Sequence, residues 1–164
     1  MAFSPNSRLH AAGIATFEEM ADALEIRRAV FIDEQHVPED EEVDRYDDDP
    51  TVVADAIHVL VHVIHVDGDV GDPIATGRLL LDGSPDERAH IGRVAVLAEH
   101  RRTGTGRVVM LWLQDEARRL GRPGVTLAAQ LHAIPFYERL GYTARGDIFF
   151  DAAIEHRWMD LDFV

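Results

Sequence analysis

Three arginines and two glycines stand within seven consecutive residues, 101–107, which we call the glycine turn. The turn follows a strand-like segment, residues 89–96, and opens a helix-like segment, residues 108–120. The first N–H groups of a helix have no internal acceptor, and the helix dipole adds partial positive charge there. Glycines let a phosphate approach the backbone, and arginines add charge-assisted hydrogen bonds. The turn therefore predicts an anion site whose ligand carries a pyrophosphate.

Composition excludes several classes of protein and of chemistry. A chain of 164 residues predicts one domain, residues 1–164. Cys is absent and all 16 basic residues are Arg, which excludes a thiol nucleophile and a lysine Schiff base. No apolar run reaches the length of a membrane span, and residues 1–8 lack the layout of a signal peptide. We therefore expect a cytoplasmic protein without a membrane partner.

Charge is distributed unevenly along the chain. The net charge is −14, and residues 33–49, the acidic segment, contain ten acids and one Arg. Residues 93–107 are locally basic. The overall acidity argues against nucleic acid as a partner, because phosphate contacts need a cationic face. The acidic segment is either a solvated loop or an attraction for a cationic substrate, and the sequence leaves both open.

The order of predicted elements indicates an α/β (α+β) fold, in which helices flank a mixed, mostly antiparallel central sheet. Thr16 and Glu19 form a capping-box pattern at the start of the first predicted helix. Hydrophobic periodicity and turn residues predict the remaining boundaries. The predicted helices are residues 17–31, 108–120 and 134–140, and the predicted strands are residues 8–12, 54–66, 74–81, 89–96, 125–129, 142–149 and 154–161.

Three histidines in one predicted strand, His58, His62 and His65, raise the question of a metal site. His58 and His62 share a face of that strand, whereas His65 faces the other way. A zinc site needs three or four converging ligands, and the chain has no Cys to complete one. We therefore predict no metal site.

Six motifs in one order make the chain resemble the GNAT superfamily of N-acetyltransferases, and most of all its ElaA/YjcF-like subgroup. They are RRAVFIDEQ at residues 27–35, ATGRL at 75–79, IGRVAV at 91–96, R-x-x-G-x-G at 101–106, AQ at 129–130 leading to FYERLGY at 136–142, and IEH at 154–156. Each motif alone is weak, but their order and spacing are specific. The resemblance covers nearly the whole chain and implies a GNAT-like acyl-CoA N-acyltransferase fold.

The resemblance implies acetyl-CoA as the donor and a primary amine of a small molecule as the acceptor. It places the pantetheine arm in a gap where two strands splay apart and the pyrophosphate on the glycine turn. It also leaves a homodimer open, because superfamily members are often dimers. The cofactor-binding residues it implies are Val94, Ala95, Val96, Arg101, Arg102, Thr103, Gly104, Thr105, Gly106, Arg107, Gln130, Phe136 and Tyr137.

Tyr137 matches the tyrosine that commonly acts as general acid in this superfamily. A phenol has a pKa of about 10, so at neutral pH it holds the proton that the leaving thiolate needs. The oxyanion is expected to meet the backbone N–H of Val96. The general base stays open among Glu34, Asp33 and His156.

The resemblance further implies an acceptor site lined by Phe31, Asp33, Glu34 and Arg78. For Arg78 the sequence does not decide between the acceptor pocket and an ion pair with the acidic segment. A second class of function is also open, a non-catalytic acyl-CoA-binding sensor or interaction module. Both predict CoA binding, and only the enzyme predicts release of free thiol.

Overall fold

The computed structural model describes residues 8–164, which form a seven-stranded sheet with helices on both faces. The strand order is β1-β2-β3-β4-β5-β7-β6. All neighbouring strands are antiparallel except β4 and β5, which are parallel. The strands are β1 (Arg8–Gly13), β2 (Ala56–Ile64), β3 (Val70–Leu80), β4 (Ala89–Val96), β5 (Gly124–Gln130), β6 (Thr143–Asp151) and β7 (Ile154–Asp162). The predicted fold class is confirmed.

The helices are α1 (Phe17–Arg27), α2 (Glu39–Glu42), α3 (Thr105–Arg119) and α4 (Ile134–Arg139). The predicted capping box starts α1, where the Glu19 N–H donates to Thr16 Oγ1 at 3.2 Å. The first predicted helix does not stay α-helical to residue 31. It ends at Arg27 and continues as a π-helical segment, Arg28–Glu34, a widening that periodicity at 3.6 residues per turn does not reveal.

The strand β3 begins at Val70, four residues before the predicted start at residue 74. Pro73 lies inside this early part and pairs with His62, where the register between β2 and β3 shifts. Proline has no N–H for a sheet ladder, so in sequence it argues against a strand, but a bulge tolerates it.

Two cores lie on opposite faces of the sheet. The larger core packs α3 against the sheet, with Val109, Met110 and Leu113 fully buried. The smaller core holds α1 against the other face through Ala23 and Ile26. The contacts of α1 with the sheet are to β3 and β4, so this helix leaves the same face of β5, β7 and β6 free. Within residues 8–164, no helix combines the length and the apolar character that a membrane crossing needs.

Candidate active site

A gap opens in the sheet between the parallel strands β4 and β5. They pair only at their beginnings, Ala89 with Val125 and His90 with Thr126. From there β5 stays paired with β7 as far as Gln130, opposite His156, while β4 turns away. The two strands therefore diverge towards their carboxyl ends, as the resemblance implies.

A cleft of about 960 Å³ occupies this gap and extends over the free face of β5, β7 and β6. Its size matches the pockets that proteins use for large organic ligands. Residues of the glycine turn and several aromatic side chains line this cleft.

Backbone groups of β4 face the gap. The Leu97 N–H donates to Ile74 O on β3 at 3.0 Å, so the N–H and C=O of Val96, one residue earlier, point away from β3. Val96 pairs with Ala75 without using those groups, and the Val96 carbonyl instead accepts from Arg101 Nε at 3.0 Å. The N–H of Val96 is thus available to a ligand in the gap, as the resemblance implies.

A bulge at Arg93 gives β4 the bend that opens the gap. Arg93 has a φ of 52°, and the register with β3 shifts beside it, between Thr76 and Arg78. The Arg93 side chain points towards the acidic segment, where its Nε donates to Glu42 O at 3.1 Å. Arg93 lines the cleft although no sequence pattern selected it. Only the bulge reveals its place, because regular alternation along a strand would not aim it there.

The glycine turn leads directly into α3. Gly104 has a φ of 84°, a left-handed conformation that favours glycine, and it caps the helix that begins at Thr105. A Cβ on Gly106 would lie 3.3 Å from Phe136 Cζ, so glycine permits close packing there. The first free N–H groups of a 15-residue helix therefore lie at the mouth of the cleft.

The three arginines of the turn are not equivalent. Both carboxylate oxygens of Glu34 accept from Arg101 Nη2 at 2.9 Å, so Arg101 is already held in place. Arg102 and Arg107 are exposed and have no hydrogen bond or ion pair with any residue from 8 to 164. These two guanidinium groups are therefore the ones available to an anion.

The two threonines of the turn shape it and do not line the cleft. Thr103 Oγ1 donates to His100 O at 2.5 Å and lies 2.9 Å from Thr105 Oγ1. Thr105 is almost fully buried. At both positions only the backbone is therefore left for the predicted contact with the cofactor.

Tyr137, Phe136 and Gln130 all line the cleft. The Tyr137 ring packs edge-on against Phe136 at 5.0 Å and against Tyr142 at 5.8 Å between centroids. Burial raises the pKa of Tyr137 to about 12, so the phenol keeps its proton at neutral pH. Its hydroxyl has no hydrogen-bond partner within residues 8–164, which leaves it free to donate to a ligand.

Gln130 reaches across the cleft to the segment that follows the π-helical turn. Its Nε2 donates to Gln35 Oε1 at 2.8 Å. Phe31 lines the same wall of the cleft, as expected for the acceptor side. The motifs at residues 27–35 and 129–130, far apart in sequence, thus meet in one wall.

The structure separates the three base candidates. Asp33 and Glu34 are exposed and do not line the cleft, and the carboxylate of Glu34 is occupied by Arg101. His156 does line it, and its Nδ1 lies 2.8 Å from Ile154 O. A carbonyl oxygen only accepts, so Nδ1 is the donor of this hydrogen bond and Nε2 is the nitrogen left to face a ligand. Of the three, His156 is the one that the geometry makes available as a base.

Arg78 requires a correction. Its guanidinium donates from Nη1 and Nη2 to the two oxygens of Asp44, both at 2.7 Å, and lies 3.1 Å from Asp47 Oδ1. The residue is 4% exposed and does not line the cleft. The predicted substrate contact of Arg78 is replaced by a role in holding the acidic segment.

The acidic segment is itself folded against the sheet by ion pairs. Arg27 contacts Glu42 at 2.7 Å and Asp47 at 2.5 Å, and all three side chains are buried. Although burial works to raise the pKa of Asp47, the hydrogen bonds and charge of Arg27 hold it below its usual range. Glu42 and Asp47 are thus neutralised within the fold, whereas Asp40, Glu41 and Asp48 stay exposed. Sequence reasoning missed this because the partners are 15 to 20 residues apart.

Of the three histidines, His58 and His62 lie on β2, whereas His65 follows its last residue. His58 Nε2 lies 2.9 Å from Tyr46 O, and His62 Nδ1 lies 2.9 Å from Gly71 O. Each of these rings therefore has a backbone partner of its own.

Sequence reasoning also missed a group of aromatic side chains in the cleft. His90, Phe149 and Trp158 line it together with His156. The alternation of His156 and Trp158 along β7 was the available signal, since residues two apart share a face of a strand.

Comparisons with known proteins agree with this geometry. The chain is 33% identical over 146 residues to the uncharacterized N-acetyltransferase YjcF of Bacillus subtilis (strain 168), covering 88% of this chain and 94% of the relative. Its fold is similar to an acyl-CoA N-acyltransferase from Pseudomonas aeruginosa, with a TM-score of 0.73, 29% identity, and coverage of 93% of this chain and 99% of that one. ElaA from Escherichia coli gives a TM-score of 0.75 at 23% identity, covering 93% and 99%.

The family model of the acetyltransferase (GNAT) family matches residues 20–142. That stretch contains the diverging strands, the glycine turn and Tyr137, all of which contribute to the lining of the cleft. The sequence match and the geometry of the gap therefore lead to one conclusion: the chain belongs to the GNAT family and is an acyltransferase.

Proposed function

We propose that the protein transfers an acetyl group from acetyl-CoA directly to the primary amine of a small acceptor. The observation that carries the proposal is the gap between β4 and β5, with a phosphate-type turn at one end and a protonated phenol in its wall. An elongated thioester fits such a gap, because the free N–H of Val96 offers it a hydrogen bond of the kind that a neighbouring strand would receive.

The residues divide the reaction as follows. The N-terminus of α3 with Arg102 and Arg107 holds the pyrophosphate. The amine gives a proton to His156 Nε2 and attacks the thioester carbonyl, so that a C–N bond forms. The Val96 N–H stabilises the oxyanion. The C–S bond then breaks, and the Tyr137 hydroxyl donates its proton to the departing thiolate. No covalent enzyme intermediate is needed, in accord with the absence of Cys and Lys.

Two measurements test the proposal. Acetyl-CoA should raise the melting temperature of the protein, since it binds the folded state. With an accepted amine, acetyl-CoA should also release free thiol. A thermal shift without thiol release across a broad amine panel would favour the sensor or interaction module instead. No shift at millimolar acetyl-CoA would exclude both.

Tyr137→Phe tests the acid. We expect kcat to fall by about 10²–10⁴-fold with little change in affinity for acetyl-CoA, because only the donated proton is lost. Tyr46→Phe is the matched control, since the Tyr46 hydroxyl bonds to Asp82 outside the cleft. An unchanged kcat in Tyr137→Phe would remove this residue from the role.

A further inference from the structure

The cleft contains a continuous row of rings, which we call the ring row and which is formed by His90, Phe149, His156 and Trp158. Phe149 stacks on His156 at 5.9 Å and 25° and on Trp158 at 5.3 Å and 24°. Trp158 meets His90 edge-on at 5.6 Å and 63°. These distances are those at which aromatic rings attract one another, so the four rings form one surface.

The ring row is not part of either hydrophobic core. Phe149 and Trp158 are half-buried and pack with neither core cluster, whereas Phe136 and Tyr137 pack against the larger one. Both rings nevertheless line the cleft. Their apolar faces are therefore held in position by one another and remain open to a ligand.

The ring row runs beside the gap along its whole length. His90 pairs with Thr126 where the gap closes, and His156 pairs with Gln130 where it is wide. Between them Trp158 lies opposite Ala128, whose small side chain leaves the surface above it open. A flat group lying over Ala128 would contact the row and hold an attached amine over the gap.

The charges around the row are of both signs, since Glu41, Arg93 and Asp151 all line the cleft. Burial together with Arg78 and Arg93 lowers the pKa of His90, so that ring is neutral at physiological pH. The guanidinium of Arg145 lies 5.5 Å from the centre of the Trp158 ring, so this ring already has a cation–π partner. The buried acids Glu42 and Asp47 are already neutralised by Arg27.

We propose that the acceptor is an arylalkylamine, whose aromatic ring stacks on the ring row while its amine enters the gap between β4 and β5. This inference rests on the proposed function. It names the substrate class of the same site, a primary amine that carries an aromatic ring.

The first experiment compares 2-phenylethylamine with n-butylamine and putrescine as acceptors in the thiol-release assay. We expect kcat/KM for 2-phenylethylamine to exceed that for n-butylamine at least about tenfold, and putrescine to be the poorest of the three. Equal kcat/KM values for the three amines, or a preference for putrescine, would overturn the proposal while leaving acetyl transfer intact.

The second experiment uses two neighbouring phenylalanines of β6. Phe149→Leu should lower kcat/KM for 2-phenylethylamine about 3- to 10-fold more than that for n-butylamine, which has no ring to stack on the row. Phe150→Leu is the matched control, because Phe150 is 70% exposed and does not line the cleft. Phe149→Tyr, which keeps the ring, should restore the preference. Equal losses for both amines in Phe149→Leu would mean that the ring row is only structural.

Calorimetry separates this inference from the proposed function. Titration of 2-phenylethylamine into the protein with CoA bound requires no turnover, and Phe149→Leu should weaken that binding by the same factor. Binding of 2-phenylethylamine without thiol release from any amine would contradict the transfer reaction and support the aryl-binding site. Thiol release from n-butylamine without any binding of 2-phenylethylamine would support the transfer reaction and contradict the aryl-binding site.

Discussion

The glycine turn and the acidic segment are both conspicuous in the sequence, yet they use their charges in opposite ways. Arg102 and Arg107 of the turn stay exposed, without partners in residues 8–164. Glu42 and Asp47 of the acidic segment are buried against Arg27. A run of like charges is thus a poor guide to function, since its members can be consumed by the fold. A backbone turn at the start of a helix is a better guide to function, because its N–H groups have no acceptor within the helix.

Asp47→Ala should give the largest effect, and it tests the structural role of the acidic segment. It leaves the buried Arg27 guanidinium without its main partner, which should lower the free energy of unfolding by about 3–5 kcal/mol. Urea denaturation measures this. Asp48→Ala is the control, because Asp48 is exposed, and it should change stability by less than about 0.5 kcal/mol. Similar small losses in both variants would show that the acids merely solvate the segment.

Gly104→Ala tests the claim that the turn acts through its backbone. An alanine at a φ of 84° should destabilise the protein by roughly 1–2 kcal/mol. It should also weaken acetyl-CoA binding about tenfold, through a displaced N–H group.

Gly121→Ala is the matched control for Gly104→Ala, and chemical denaturation with a binding titration checks the pair. Gly121 has a φ of 75°, and at both glycines an added Cβ would meet nothing within 4 Å. Replacement of Gly121 should therefore cost similar stability without any change in affinity. Equal affinity losses in both variants would contradict a specific role of the turn.

Arg107→Gln should have a smaller effect on stability, with opposite signs for folding and binding. A cation in the first turn of α3 opposes the helix dipole, so its removal should stabilise the free protein by about 0.3–1 kcal/mol. Affinity for acetyl-CoA should fall, because a phosphate contact is lost. Melting curves with and without acetyl-CoA report both changes.

Arg119→Gln provides the comparison at the other end of the same helix. Arg119 stands in the last turn of α3 and pairs with Glu116 at 2.7 Å. Its loss should slightly destabilise the protein and leave affinity for acetyl-CoA unchanged. A drop in stability for Arg107→Gln would mean that Arg107 has a partner within the protein.

The pH dependence of stability should give the smallest difference between the two regions. Burial lowers the pKa of His58, whose ring donates to Tyr46 O in the acidic segment. Below the ordinary value of 6.5 the unfolded chain takes up a proton that the folded chain refuses. Stability is therefore full above that pH and declines as the pH falls below it.

His58→Gln should flatten that decline in denaturation curves measured between about pH 5 and pH 7.5. His10→Gln is the control, since His10 is exposed on the edge strand, and it should leave the decline in place. A decline that persists unchanged in His58→Gln would assign it to other groups.

Much of the fold could be predicted because hydrophobic periodicity and turn residues are local signals. The bounds of β4 were predicted without error, and those of β5 and β7 within a residue at each end. The π-helical segment Arg28–Glu34 was not predicted, because its side chains keep a nearly helical pattern while the backbone widens. The start of β3 was placed too late because Pro73 resembles a turn residue in sequence but lies at a bulge.

The candidate site was predictable in its donor half and much less so in its acceptor half. The glycine turn, Gln130 and Tyr137 lie on the cleft as expected, since a motif fixes each of them locally. Glu34 binds Arg101, 67 residues away in the chain, and Phe149 reaches the cleft only because β6 pairs with β7. No local pattern encodes contacts of that range.

The sequence alone determined the family, the place of the glycine turn and the element order, because these depend on residue type, spacing and hydrophobic period over short stretches of chain. Only the tertiary structure decided which charges are paired and which side chains line the cleft. The partners of charged and aromatic side chains come from distant parts of the chain, and only the packing of the sheet brings them into contact. An ion pair thus holds the acidic segment against the fold, and rings from β4, β6 and β7 line the cleft.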